Sequence, residues 1–205
     1  MITLLGTSHI SPNSLVNVRK ALNETPEAVA VELDMSRYLS RMQGGKRIKT
    51  GILVRFISKL QEYLGRKTGV FPGEEMFLAI ELAKNKGVDT YLIDQEYRKT
   101  IQAFQSLPLW EKIRLFITPI LGLNTDFSIE DIPEKELVDK LLKKVKDQFP
   151  FMYKELIEER NKHMINALKD LDKRYDDVLA VMGIGHIKGI GALLEKEEIN
   201  YKIFK

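Results

Sequence analysis

The chain has 205 residues, 44% of them hydrophobic and 30% charged, and its 32 basic and 29 acidic side chains leave a net charge of +3. That is the composition of a folded chain with a sizeable core, which excludes disorder and is too evenly charged to point to nucleic acid as a partner. The absence of cysteine excludes disulfides, thiolate metal sites and a cysteine nucleophile, and it fits a cytoplasmic protein.

In chain order, the first apolar run is Ile2–Leu5, which reads as a buried strand. Ser11-Pro12 then starts a helix to about Leu22. Ala28–Val31 is the second strand, and Asp34 caps a helix to about Gln43, where Gly44-Gly45 stop it. Residues 50–68 read as a helical insertion. A helix from Glu74 to Lys86 ends at Gly87. Thr90–Ile93 is the third strand. Helices over Glu96–Ser106 and Pro108–Leu121 follow, then a helical pair over Glu134–Gln148 and Pro150–Asp172. Val178–Met182 is the fourth strand. A short helix from about Ile190 to Lys196 precedes a last strand over Tyr201–Phe204.

Strands alternating with helices predict an α/β fold with a largely parallel central sheet and helices on its faces. The chain reads as one domain, with helical insertions near 50–68 and 107–150 covering the carboxyl edge of the sheet. No signal peptide pattern is visible. The most apolar stretch, "LPLWEKIRLFITPILGL", is interrupted by Glu111, Lys112 and Arg114, so no transmembrane segment is expected.

Ligands of open parallel sheets bind beyond the carboxyl ends of the strands. After the first run comes Gly6-Thr7-Ser8-His9, and after the fourth Gly183-Ile184-Gly185-His186, so two of the three histidines follow strands in the same Gly-x-x-His context. Glu32-Leu33-Asp34 follows the second strand and Asp94-Gln95-Glu96 the third. Parallel strands would gather these groups along one edge. Imidazole and carboxylate together suit a divalent transition metal, Mn, Co or Zn. His9, His186 and Glu32 are the candidate ligands, leaving open positions for water and substrate. A water on such a metal becomes a nucleophile near neutral pH.

Each of these residues also has a structural reading. Asp34 and Asp94 precede helices and are explained by N-capping. Glu32 ends an apolar strand, where a buried carboxylate needs a partner. Glu75, beside Glu74, opens a helix whose dipole favours acids, and is a catalytic candidate on equal terms with that reading. In "YKELIEERNKHMINALKDL", Arg160 falls in the apolar stripe Tyr153, Ile157, Met164, Leu168, Leu171. It is placed to neutralise a carboxylate, to stabilise an oxyanion, or to snorkel at the rim. Glu159 is either a general base or a surface acid, and His163 reads as a surface residue. The basic stretch Lys46 to Lys67 carries the apolar stripe Leu53, Ile57, Leu60, Leu64 and reads as a covering helix with a solvated basic face. Walker, G-x-S-x-G and H-E-x-x-H motifs are absent.

Taken together, "LLGTSHIS", "VAVELD" with Arg37, "GEEM", "YLIDQE" with Thr100, "WEK", "EER" with Met164 and "AVMGIGHIKGI" resemble the TraB/PrgY family, which is related to the Tiki metalloproteases. The resemblance implies an erythromycin esterase-like α/β fold. It implies a divalent-metal site built on His9 and His186, with Glu32 as acidic help and with Glu75 and Arg160 at the family's other polar positions. It also brings pheromone shutdown and hydrolysis of peptide or amide bonds into view. The expectation is a metal-dependent hydrolase acting on a peptide or small-molecule substrate. The alternative is a non-catalytic protein that captures such a ligand in the same cleft. The helical insertions offer surfaces for a homodimer.

Overall fold

A computed structural model describes residues 1–8, 12–44, 73–117 and 134–204 of the chain. Strand β1 (Ile2–Thr7) leads through α1 (Pro12–Asn23) to β2 (Ala28–Val31) and α2 (Met35–Met42). Then come α3 (Glu74–Asn85), β3 (Asp89–Leu92), α4 (Tyr97–Ser106), α5 (Leu109–Ile117) and α6 (Glu134–Gln148). A continuous helical stretch follows: α7 (Pro150–Tyr153), a π-helical turn (Lys154–Glu158) and α8 (Glu159–Asp172). Strand β4 (Val178–Gly183) runs directly into α9 (Ile184–Lys196), and β5 (Tyr201–Ile203) closes the sheet. The predicted insertion at 50–68, the basic stretch Lys46 to Lys67 and His9 lie outside the described residues.

The five strands are all parallel, in the order β3-β2-β4-β1-β5. The inner strands β2 and β4 are buried along their whole length, as expected where helices cover both faces. Side chains alternate between two cores. On one face Leu5, Val29, Val31, Leu179 and Val181 pack against Val18 and Leu22 of α1 and Met76, Ala79 and Ala83 of α3. On the other, Leu4, Ala30, Ala180 and Met182 meet Met164 and Leu168 of α8 and Ile187, Ile190 and Leu194 of α9. The period of two in the strands and the helical period in α8 and α9 make this division possible.

Strand β4 lies between β1 and β2, which are consecutive in sequence. The register pairs Thr7 with Gly183 and Val31 with Val181. The carboxyl ends of these three strands therefore sit side by side where the strand order reverses, the place such sheets leave a crevice.

Most elements match the sequence reading to within a residue or two. The last helix does not. It begins at Ile184, not near Ile190, so His186 stands in the first turn of a helix and not in a loop. Gly185 and Gly189 weaken the local helical signal by about 1 kcal/mol each. Burial of Ile187, Ile190 and Leu194 outweighs that. The helix expected over Pro150–Asp172 is also not uniform, since the π turn interrupts it. Of the insertion near 107–150, α5 and α6 are described, and α6 packs on α9, with Leu142 facing Gly185.

Leu168 is fully buried between α8 and the sheet. Leu168→Ala should lower the unfolding free energy by about 2–5 kcal/mol, through lost transfer energy and the cavity left behind. Urea denaturation should show a lower midpoint with an unchanged slope.

Candidate active site

Glu32 follows β2. Its backbone N–H donates to Val181 O at 2.9 Å, which extends the ladder by one residue and holds the side chain at the carboxyl edge. The carboxylate is 5% exposed. Its Oε2 accepts from the Gly183 N–H at 2.6 Å, at the start of α9, where exposed N–H groups and the helix dipole favour an anion. Its Oε1 accepts from Arg160 Nη2 and lies 3.4 Å from His186 Nε2.

Arg160 is the second residue of α8, just after the π turn. Its Nε donates to Asp94 Oδ1 at 2.9 Å, Nη2 also reaches Asp94 Oδ2 at 2.8 Å, and Nη1 reaches Leu156 O at 3.4 Å. All three nitrogens are engaged. Burial works to lower its proton affinity, but the charges of Glu32 and Asp94 and their hydrogen bonds outweigh it and hold the guanidinium above its ordinary value. Of the roles open to Arg160, the structure places it as the cation between two buried acids.

Asp94 is not a helix cap. Helix α4 begins at Tyr97, too far along for Asp94 to reach its first amides, and its cap residue Glu96 makes no side-chain cap bond. The Asp94 carboxylate instead takes the two bonds from Arg160, one from Arg37 Nη2 at 2.6 Å and one from the Gln95 N–H at 2.9 Å. Asp34 does cap α2, accepting from the N–H groups of Ser36 at 2.9 Å and Arg37 at 3.2 Å. It also takes Arg37 Nε at 2.6 Å. Burial works to raise the Asp34 carboxyl. The hydrogen bonds from Ser36 and Arg37 and the Arg37 charge together outweigh that, holding it below the usual carboxylate range.

His186 is buried, and its Nδ1 lies 2.6 Å from Asn161 Oδ1. An amide oxygen accepts, so Nδ1 carries the proton and Nε2 is the atom that faces Glu32. The contact needs a close approach of α8 and α9, and Gly189 permits it: a Cβ there would run into Asn161 Nδ2. Glu75 is fully buried on α3, with Oε1 3.4 Å from the hydroxyl of Thr7 at the end of β1. That hydroxyl also lies 3.2 Å from Met182 O. Glu159 pairs with Lys162 at 2.8 Å, and Lys162 is 62% exposed, so Glu159 belongs to the surface side of α8. His163 is exposed.

Asn161 was not singled out in the sequence. It directly follows Arg160, and adjacent residues on a helix point in different directions, so no periodic pattern would have joined them to one site. Arg37 stood out only through the family resemblance.

The edge thus holds Glu32, Asp34, Glu75 and Asp94 against Arg37 and Arg160. Among the described residues, no group of three His, Cys, Asp or Glu side chains is poised to hold a metal. The pair that fits is His186 Nε2 and Glu32 Oε1. Two ligands of a tetrahedral ion with bonds of ~2.0–2.1 Å stand about 3.3 Å apart, and these two atoms are 3.4 Å apart.

The TraB/PrgY/gumN family profile matches residues 1–203. The chain belongs to this family. It is 31% identical to the uncharacterized protein MJ1365 of Methanocaldococcus jannaschii, over 96% of this chain and 54% of that one. It is 23% identical to the TraB domain-containing proteins of Homo sapiens and Bos taurus, over 92% of this chain and 61% of each of those. The chain therefore spans a little more than half the length of these relatives. Among the described residues, no helix is long and apolar enough to cross a membrane.

Removing the cation between buried acids is strongly unfavourable. Arg160→Met should lower stability by about 3–5 kcal/mol in chemical denaturation, whereas Glu159→Gln should stay within about 0.5 kcal/mol of wild type.

The Asp34 shift gives a pH dependence with a defined sign. A carboxyl held low in the fold adds stability that is complete above its unfolded pKa of about 4 and is lost as pH falls through the folded value. Urea midpoints measured from pH 6 downward should fall less steeply for Asp34→Asn than for wild type.

Proposed function

We propose that this chain is a divalent-metal-dependent hydrolase acting on peptide or amide bonds, with His186, His9 and Glu32 as the metal-holding residues. The observation that carries the reading is the His186–Glu32 edge. Asn161 fixes the imidazole so that Nε2 faces Glu32 Oε1 at a separation suited to a shared ion. Manganese, cobalt or zinc would supply Lewis acidity and a water acidified toward neutral pH.

The chain's own residues then divide the remaining work. Glu32, anchored by the Gly183 N–H, is either the third ligand or the general base that accepts a proton. Arg160 positions Glu32 and Asp94 and keeps their charges from repelling each other. Glu75 is a second carboxylate at the same edge, held against Thr7. The sheet and helices bury all of these groups, which strengthens their electrostatic interactions.

The second reading is capture of a peptide or small ligand without chemistry. One observation favours it: Glu32 Oε1 already accepts from Arg160, so the atom proposed as a ligand has a competing partner.

Elemental analysis separates the two. Wild-type protein supplied with Mn, Co or Zn and then freed of excess should retain metal near one equivalent, and the His9→Ala/His186→Ala double variant none. Retention should weaken in acid, where protons compete with the metal for its ligands. No retained metal in the wild type would sink the hydrolase and leave the capture reading.

A further inference from the structure

Helix α2 is held to the protein by one side. Tyr38 stacks on Phe77 of α3 with ring centroids 6.3 Å apart, and the Arg41 guanidinium lies 5.5 Å from the centre of the same ring. Arg37 ties the first turn to Asp34 and Asp94 beside the carboxyl edge. The other side carries Met35, Leu39 and Met42, which are 58%, 46% and 66% exposed. Spacings of four and three residues put them in one row along the helix. Single exposed apolar residues are ordinary on a protein surface, but a row of three large ones marks a place where something docks.

Charge identifies what docks. The total of +3 conceals a segregation along the chain. Residues 35–67 hold nine Lys and Arg side chains against Glu62 alone, a net +8, which leaves the remainder of the chain at −5. This segment begins with α2, which has no acidic residue. It runs on past Gly44, where the described chain stops until residue 73. Its sequence beyond α2 repeats the combination, with Lys and Arg among Leu53, Ile57, Leu60 and Leu64. Basic and apolar side chains together suit an anionic lipid surface, which attracts the cations and takes the apolar groups in among its headgroups. We infer that the outward face of α2 is a docking surface for an anionic lipid bilayer, on which the chain lies peripherally. This is independent of what the carboxyl edge binds.

Other occupants fit less of this. A nucleic acid would use the charge, but its phosphates would leave Met35, Leu39 and Met42 in water. A second copy would bring the same basic segment against its own kind, and like charges facing each other oppose association. A folded protein partner needs shape complementarity at the centre of its interface. A convex row of flexible Met and Leu side chains supplies little of that, and a fluid bilayer requires none.

The test is vesicle flotation of the whole chain at pH 7. Vesicles of phosphatidylcholine alone are compared with vesicles in which about 30% of it is replaced by phosphatidylglycerol. The anionic vesicles should bind the protein about tenfold or more tightly than the neutral ones, and raising NaCl from about 0.1 M to about 0.5 M should remove most of that gain. Leu39→Glu/Met42→Glu removes two apolar anchors and adds two negative charges, and should weaken binding to anionic vesicles about tenfold or more. Ile203→Glu makes the same kind of change at an exposed position on β5, three strands from β2, and should alter binding by less than about twofold. All three positions are exposed, so thermal melts of the variants should match wild type. Equal binding to neutral vesicles, no binding to either, or full binding by Leu39→Glu/Met42→Glu overturns the inference. So does binding to a duplex oligonucleotide in place of vesicles, which would assign the charge to nucleic acid. Self-association lost in Leu39→Glu/Met42→Glu, with no vesicle binding, would assign the row to a second copy and also overturn it. The comparison of the two vesicles needs no variant, and no readout involves metal or turnover.

Discussion

Buried carboxylates at the ends of parallel strands have to be compensated, and the structure at the carboxyl edge depends on how that is done. Glu32 follows β2 and Asp94 lies just beyond β3, and both are almost wholly shielded from water. An ionised acid in such a place carries a desolvation penalty of several kcal/mol unless it is paired and hydrogen-bonded. Arg160 meets both at once, and the Gly183 N–H completes Glu32 from β4. One cation from α8 thereby ties β2 and β3 to the helical layer on one face, and a single amide ties in β4.

Other local features follow from that requirement. The π turn just before Arg160 changes the helical register where the guanidinium has to enter the edge, a common position for such turns near functional groups. Asn161 comes with Arg160 and meets His186 on α9, and a glycine in α9 makes room for it. The group that orients the imidazole and the group that neutralises the acid are thus neighbours in sequence, carried by one rigid element. Arg37 extends the same network outward, sharing Asp94 with Arg160 and closing on the helix cap Asp34. Along this network acids and guanidiniums alternate: Glu32, Arg160, Asp94, Arg37, Asp34.

The reading of Asp94 shows what a linear pattern can hide. An acid between a strand and a helix is most simply a cap, and for Asp34 that is correct. Asp94 has the same local setting, yet its partners come from positions 37 and 160. Nothing nearby in sequence marks the difference, because capping is a contact over two or three residues and the ion pairs span dozens. Arg160 itself was visible as a charged residue in an apolar stripe. That anomaly identified a buried cation needing acceptors, but could not say which acids it would meet.

Sequence alone determined the strands, most helices, the parallel α/β class and the carboxyl edge as the place where polar residues collect. These rest on short-range causes: period of alternation, capping residues and glycine stops. It also marked His186, Glu32 and Arg160 as residues in need of explanation, since each is polar beside an apolar run. Only the tertiary structure decided that β4 lies between β1 and β2, which brings residue 32 beside residue 183. It alone showed that His186 stands in the first turn of a helix, that Asn161 holds it, and that Asp94 serves two arginines. These outcomes depend on strand order and on helix–helix approach. Both are set by packing summed over two cores and by the compensation of buried charge, and neither leaves a trace in the spacing of residues along the chain.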